Sequence, residues 1–209
     1  MKQYSITKAY QTDFKVKGSK FIAFLSPCNQ ISSADLYVES IREEHPTATH
    51  HCYAYRVNPA DCIEYNQDDG EPSGTAGAPI LNSLKLAELV NVICVVVRYY
   101  GGTKLGKSGL IDAYSSATDL AISKAQCHRI TPTEQFEIVY SYDQQSLIDK
   151  LKHTFTLFEI DSAYGEHVKL VLECPEAESK GLETRLQSIS HLLISVERIK
   201  SSFHIFDSR

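Results

Sequence analysis

The run Gly101-Gly102-Thr103-Lys104-Leu105-Gly106-Lys107-Ser108 fits the pattern G-x-x-x-x-G-K-[ST] at every fixed position. In a nucleotide-binding phosphate loop those residue types divide the work. Glycines let backbone N–H groups converge on phosphate oxygens, the lysine neutralises charge and the hydroxyl holds magnesium. A strand has to enter such a loop and a helix has to leave it, and both are encoded. Val92 to Tyr100 is nearly continuous in β-branched and aromatic residues, as a strand buried on both faces requires. After the loop, Leu110, Ala113, Tyr114, Ala117, Leu120 and Ala121 recur at three- and four-residue spacing, which marks one buried helical face. The third requirement, a later hydrophobic strand ending in a metal-positioning aspartate, is not found in the sequence.

A second glycine segment runs from Asp68 to Pro79 and carries Gly70, Gly74 and Gly77 with Glu71, Ser73 and Thr75 between them. It has the composition of an anion-binding nest with Ser73 or Thr75 as a helix cap, and equally that of a tight turn ahead of a short capped helix. Asp68 and Asp69 have magnesium-binding chemistry, but no other acid stands at a defined spacing from them, so no metal site is expected. In His50-His51-Cys52 only His50 and Cys52 share a strand face, which falls short of a zinc set. Cys52 beside histidines has the makings of a nucleophile, although a cysteine in an apolar strand more often packs. No Ser-His-Asp order stands out, Ser73 lacks the G-x-S-x-G elbow, and no catalytic residue is assigned.

The elements that must position these groups follow from periodicity. Phe14–Val16 and Phe21–Leu25, joined by Lys17-Gly18-Ser19, read as a hairpin. Ser32 or Ser33 would cap a helix that carries Leu36, Val38 and Ile41 and closes at Pro46. Thr49 to Val57 reads as a strand, and Asn58 to Gly77 as loop. A break at Thr131-Pro132-Thr133 divides a domain over residues 1–132 from a second over 133–209. In the second, Phe136–Tyr140, Asp143–Phe155, Phe158–Tyr164, Val168–Cys174, Glu178–Ile189 and Ile194–Ile205 give the order β-α-β-β-α-β of the ferredoxin-like split unit, with a Gly165-Glu166 hairpin between its middle strands.

At 209 residues and 43% hydrophobic content the chain can form packed cores. Its net charge of −5 argues against a protein that coats nucleic acid. The acidic excess is local, however: residues 1–132 hold 13 basic and 13 acidic side chains against 8 and 13 in the remainder. A basic surface on the first part is therefore compatible with the total. Lys15, Lys17 and Lys20 flank a glycine, and Arg98, Lys104 and Lys107 cluster around the loop. Six cysteines without a C-x-x-C pair read as free thiols in a reducing cytoplasm. Residues 1–10 lack the pattern of a signal peptide, and no membrane span is expected.

The two glycine segments together, Asp69-Gly70-Glu71-Pro72-Ser73-Gly74-Thr75-Ala76-Gly77 and Val95-Val96-Val97-Arg98-Tyr99-Tyr100-Gly101-Gly102, with Leu105-Gly106 and Gly109-Leu110 following, resemble the IMPACT family in its bacterial two-domain, YigZ-like branch. His51 and Tyr53-Ala54-Tyr55 are similar to the strand ahead of the first segment. The resemblance covers most of residues 15–125. It implies an α+β chain whose N-terminal α/β domain is similar to the second domain of a small-subunit ribosomal protein, a fold shared with part of elongation factor G and with GHMP kinases and distinct from the phosphate-loop fold. The positions of Lys107 and Ser108 are not fixed in that family, so they complete the phosphate-loop pattern by coincidence. Eukaryotic relatives are implicated in translational control through a starvation-kinase pathway, using an extra domain, and that partnership is not transferred.

What carries over is a cytoplasmic, non-enzymatic binding protein linked to translation, with RNA, a translation factor or another anionic ligand as partner. No membrane partner, DNA-specific motif, cofactor or metal is implied, and the oligomeric state stays open. The expected binding surface joins both loops: Gly70, Glu71, Ser73, Gly74, Thr75 and Gly77 with Arg98, Tyr99, Tyr100, Gly101, Gly102, Lys104, Gly106, Lys107 and Ser108. Arg98 would clamp a phosphate and the tyrosines would stack on unpaired bases. The competing expectation is a small-molecule phosphotransferase similar to GHMP kinases, with Asp112 or Asp69 as its acid.

Overall fold

A computed structural model describes residues 2–205 as a mixed α/β protein with two antiparallel sheets and five α-helices. The chain separates into two compact units, one ending at Arg129 and the other beginning at Ile130.

The first unit is built on a sheet in the order β2-β3-β6-β4-β5, all neighbours antiparallel. In the short strand β1 (Gln3–Ser5), Tyr4 exchanges backbone hydrogen bonds with Glu88 and Val90. Strands β2 (Tyr10–Val16) and β3 (Ser19–Pro27) form the expected hairpin. Its two turn residues, Lys17 and Gly18, both have positive φ, matching the right-handed twist of the flanking strands.

Helix α1 (Ile31–Glu44) starts earlier than expected, with Gln30 at its N-cap and no side-chain cap, so neither Ser32 nor Ser33 serves there. Strand β4 (His50–Val57) pairs with β5 (Ile63–Gln67). The stretch from 58 to 77 is thus not all loop. A five-residue edge strand whose side chains are mostly exposed carries little hydrophobic alternation to announce it.

Helix α2 (Gly77–Leu86), strand β6 (Val92–Tyr99) and helix α3 (Gly106–Lys124) complete the unit. β6 is central and buried on both faces. Val92, Cys94 and Val96 join the core under α2 and α3, while Ile93, Val95 and Val97 join the core under α1.

The second unit comprises β7 (His128–Tyr140), α4 (Gln145–Thr154), β8 (Phe158–Tyr164), β9 (Val168–Pro175), α5 (Glu176–Ile189) and β10 (Ser195–Ile205). The order is β-α-β-β-α-β, and the strands lie as β10-β7-β9-β8 with antiparallel neighbours. Phe136, Ile138 and Tyr140 of β7 meet Ile148 and Leu151 of α4 and Leu182, Leu186 and Ile189 of α5 in one core. Strand β7 runs unbroken through Thr131-Pro132-Thr133, where a break was expected; Pro132 stands opposite Phe203 on β10. No described helix is long and apolar enough to cross a membrane.

Candidate functional site

Strand alternation decides which groups meet. At the end of β6, Arg98 points to the α2/α3 face, as Val96 does, and Tyr99 points to the α1 face. Arg98 has Phe21 of β3 as its register partner on one side and His50 of β4 on the other. The loop from Asp68 to Ala76 folds over this row.

Glu71 descends from the loop into the interior at 8% exposure, and its Oε1 accepts from Arg98 Nη1 and from the Tyr114 hydroxyl at 2.9 Å. His50 Nε2 lies 3.9 Å from the same oxygen. The Arg98 guanidinium sits 5.4 Å from the Phe21 ring centre and 5.5 Å from that of Tyr100. Below Glu71, Cys52 Sγ lies 3.0 Å from the Asp68 carbonyl oxygen and 3.3 Å from the Tyr114 hydroxyl, with one thiol proton between the two acceptors. Burial pushes the Cys52 thiol far above its ordinary range and, with Cys52 and Glu71 beside it, does the same to the Tyr114 phenol. Neither is an ionised nucleophile at neutral pH.

The first glycine segment fills its own nest. Asp68 Oδ2 accepts from Gly74 N at 2.8 Å, and Asp68 Oδ1 accepts from Ala76 N at 3.0 Å and Gly77 N at 2.8 Å. The cap of α2 is therefore this aspartate, and the side chains of Ser73 and Thr75 do not cap it. Thr75 is buried and donates to the Pro72 carbonyl at 2.6 Å. Asp69 is equally committed, accepting from Arg42 Nη2 at 2.8 Å and His51 N at 2.7 Å. Both carboxylates are engaged within the protein, and no cluster of three or more potential metal ligands occurs among the described residues. Gly77 is a packing requirement, because a Cβ there would come within 2.7 Å of Gln67 N.

The second segment behaves differently. A Cβ on Gly101 would lie 1.9 Å from the carbonyl carbon of Gly18, so this glycine lets two backbones touch. Its N–H donates to Ser19 Oγ at 3.1 Å, and that of Tyr100 to Thr49 Oγ1 at 3.1 Å. Those donors do not converge on a phosphate, and the flanking sheet is antiparallel where a phosphate loop follows a parallel strand. The N-terminus of α3 is another matter. No described side chain caps it, and no acid stands in its first turn. Lys104, Gly106 and Lys107 are exposed around it. A 19-residue helix presents about half a positive charge at such an end.

Together these elements enclose an open depression of about 530 Å³. Thr49, His50, Glu71, Pro72, Arg98 and Tyr100 line one side, and Lys104, Leu105, Gly106, Lys107 and Leu110 the other. Of the residues expected from sequence, Glu71, Arg98, Tyr100, Lys104, Gly106 and Lys107 meet there. Gly70, Ser73, Gly74, Thr75, Gly77, Gly101, Gly102 and Ser108 are not part of its lining. Two roles change. Tyr99 is turned away, its hydroxyl 2.9 Å from His45 Nδ1, so it offers no stacking face here. Arg98 is 5% exposed and paired with Glu71, so it forms part of the floor and does not act as a free phosphate clamp. His50, which sequence reads only as half of an incomplete zinc pair with Cys52, is the lining residue whose position depends on strand register. The candidate acid Asp112 is exposed on α3 outside the lining.

The sequence profile of the Impact N-terminal domain matches residues 17–122, which contain both glycine segments and the whole depression. The IMPACT family member YigZ of Escherichia coli is 35% identical over 84% of this chain and 87% of that protein. The family member YvyE of Bacillus subtilis is 40% identical over 90% and 87% respectively. A solved crystal structure of a hypothetical protein, 32% identical, superposes with a TM-score of 0.68 over 95% of this chain and 96% of the other. On the profile match and on relatives aligned over most of both chains, this protein belongs to the IMPACT family.

Proposed function

We propose that this protein is a cytoplasmic, translation-linked binding protein that takes single-stranded RNA, through its phosphates, into the depression at the N-terminus of α3. The observation that carries the reading is the uncapped N-terminus of this long helix between Lys104 and Lys107, opening into a concave site whose other cation is already neutralised. Helix N–H groups and two ammonium groups on long side chains suit phosphate oxygens. A single site of this kind is compatible with a chain of net charge −5, because attraction is needed at one locus only. The translational link rests on family membership. The strand order β10-β7-β9-β8 supports reading the second unit as ferredoxin-like. For the first we keep the ribosomal-protein-like description, and we place the boundary between the two domains within β7.

The test is fluorescence anisotropy with a short single-stranded RNA across a salt series. Replacing Lys104 and Lys107 by Ala should weaken binding about tenfold at low salt and flatten the slope of log K against log salt by roughly 1.4, about 0.7 for each phosphate that is no longer neutralised. An unchanged slope in the double variant would remove this site from the reading. Protection against thermal unfolding by ATP and magnesium but not by RNA would transfer the depression to the phosphotransferase reading.

A further inference from the structure

We propose that an RNA strand seated in the depression runs on over the end of the first unit's sheet to Lys17 and Lys15, so that the protein holds consecutive phosphates along a basic track. This rests on the RNA-binding reading above and adds the path of the ligand and the length of strand it needs.

Lysines from two distant parts of the sequence meet at that end. Between Phe14 and Phe21 the chain carries Lys15, Lys17 and Lys20, and between Tyr99 and Ile111 it carries Lys104 and Lys107; neither stretch contains an acid. What joins them is a pair of glycines. The hairpin turn between β2 and β3 presses its backbone onto the loop that follows β6. A Cβ on Gly101 would fall 1.9 Å from the Gly18 carbonyl carbon, and one on Gly18 would fall 2.9 Å from the Gly101 carbonyl oxygen. Gly101 N donates to Ser19 Oγ at 3.1 Å across the same seam. Val16, just before the turn, and Leu105, just before α3, pack against one core, which anchors both loops.

Strand alternation then orders the lysines. Lys104 and Lys107 line the depression on the α3 side of the sheet. Lys15 is the register partner of Lys20, and Lys20 that of Tyr99, so both lie on the α1 side. Lys17 stands exposed in the turn itself, at the rim between the two sides. It thus links two basic groups that the sheet would otherwise separate. Lys20 is committed to Asp13 at 2.9 Å, whereas no carboxylate among the described residues pairs with Lys15, Lys17, Lys104 or Lys107.

The shape of this arrangement selects its ligand. A chain of net charge −5 gathers four unpaired cations at one end of one sheet, and a line of such charges suits a polyanion. The line crosses a rim, so the polyanion has to bend within a few residues. Duplex nucleic acid, with a persistence length of about 150 bp for DNA, does not make that turn, and a single strand does.

The experiment titrates oligo-uridine strands of three and of nine residues, and a nine-base-pair RNA duplex, against the full chain and against Lys15→Ala combined with Lys17→Ala, following fluorescence anisotropy across a salt series. Thermal unfolding verifies that the variant is folded. For the unaltered protein, the slope of log K against log salt should be steeper for the longer strand by roughly 1.4, about 0.7 for each of the two added phosphate contacts. In the double variant the longer strand should bind about tenfold more weakly at low salt and lose that extra slope, while the short strand is unchanged. Equal slopes for the two lengths on the unaltered protein, with the effect of Lys104 and Lys107 intact, would overturn the track and leave RNA binding in the depression standing. A loss in the double variant shared equally by both lengths would overturn it too, as would a duplex bound as tightly as the longer strand. Phosphatidylserine vesicles bound as tightly as that strand, and released by the double variant, would assign this end of the sheet to a membrane surface instead. Binding of no strand at all would overturn the functional reading itself. The comparison of lengths on the unaltered protein decides the matter even where the variant does not fold.

Discussion

Glu71 and Arg98 show how a single residue can be misjudged from its type. An arginine beside a glycine loop suggests a phosphate contact, yet here its charge is already met by a carboxylate that came from 27 residues away and is itself buried. Breaking such a pair from one side leaves an uncompensated buried charge and costs about 3–5 kcal/mol, whereas replacing both partners by apolar groups is often close to neutral. Glu71→Gln keeps an oxygen for Arg98 and Tyr114 but removes the charge. Urea denaturation should show it destabilised by an amount in that range, with much of the loss recovered in Glu71→Gln combined with Arg98→Met. Equal or additive losses in the double variant would mean that the two side chains are not energetically coupled. The cysteines follow the same logic of environment over type. Burial drives the Cys94 thiol up to about 12 and that of Cys174 to about 11, so their surroundings are those of packing residues.

At the scale of elements, the glycine-rich segment 70–77 is organised by an acid that precedes it. Asp68 gathers three backbone N–H groups and so fixes both the loop and the start of α2. Asp68→Ala should lower stability by about 2 kcal/mol, the upper part of the range for a lost helix cap, because partly buried donors are orphaned as well. Chemical denaturation measures the loss, and faster hydrogen exchange at Ala76 and Gly77 locates it; an unchanged exchange pattern would mean that the cap is dispensable. In sequence this role was hidden. Asp68 has the look of a metal ligand, and the serine and threonine of the loop have the look of caps, because spacing alone does not reveal which oxygen the chain folds back upon. The long elements were legible: β6 from its β-branched run, α3 from its buried stripe, and the hairpin β2–β3 from its turn. The edge strand β5 was not, since half-exposed strands lack strong alternation.

For the molecule as a whole, acid is expected to act on the second unit through Glu173. Burial alone would raise its carboxyl, but hydrogen bonds from Thr133, His204 and Gln135 outweigh it and hold the group below the usual carboxylate value. A depressed carboxylate binds its proton less readily folded than unfolded. It therefore contributes stability in full above the unfolded value and loses that contribution as pH falls through the folded one. Glu173→Gln should flatten the acid limb of the stability–pH curve of the full chain, measured by thermal unfolding from neutral pH down through the carboxylate range; an unaltered limb would assign acid sensitivity to other groups.

The sequence by itself determined the family, the order of the long elements and the presence of two glycine segments, because periodicity and turn chemistry are local and survive in one dimension. It did not determine which residues share a cavity. Whether Arg98 clamps a ligand or braces a floor, whether Tyr99 or Tyr100 faces outward, and whether His50 has any part were decided only by strand register and by the loop that folds Glu71 inward. Those are pairings between residues tens of positions apart, and no local pattern carries them.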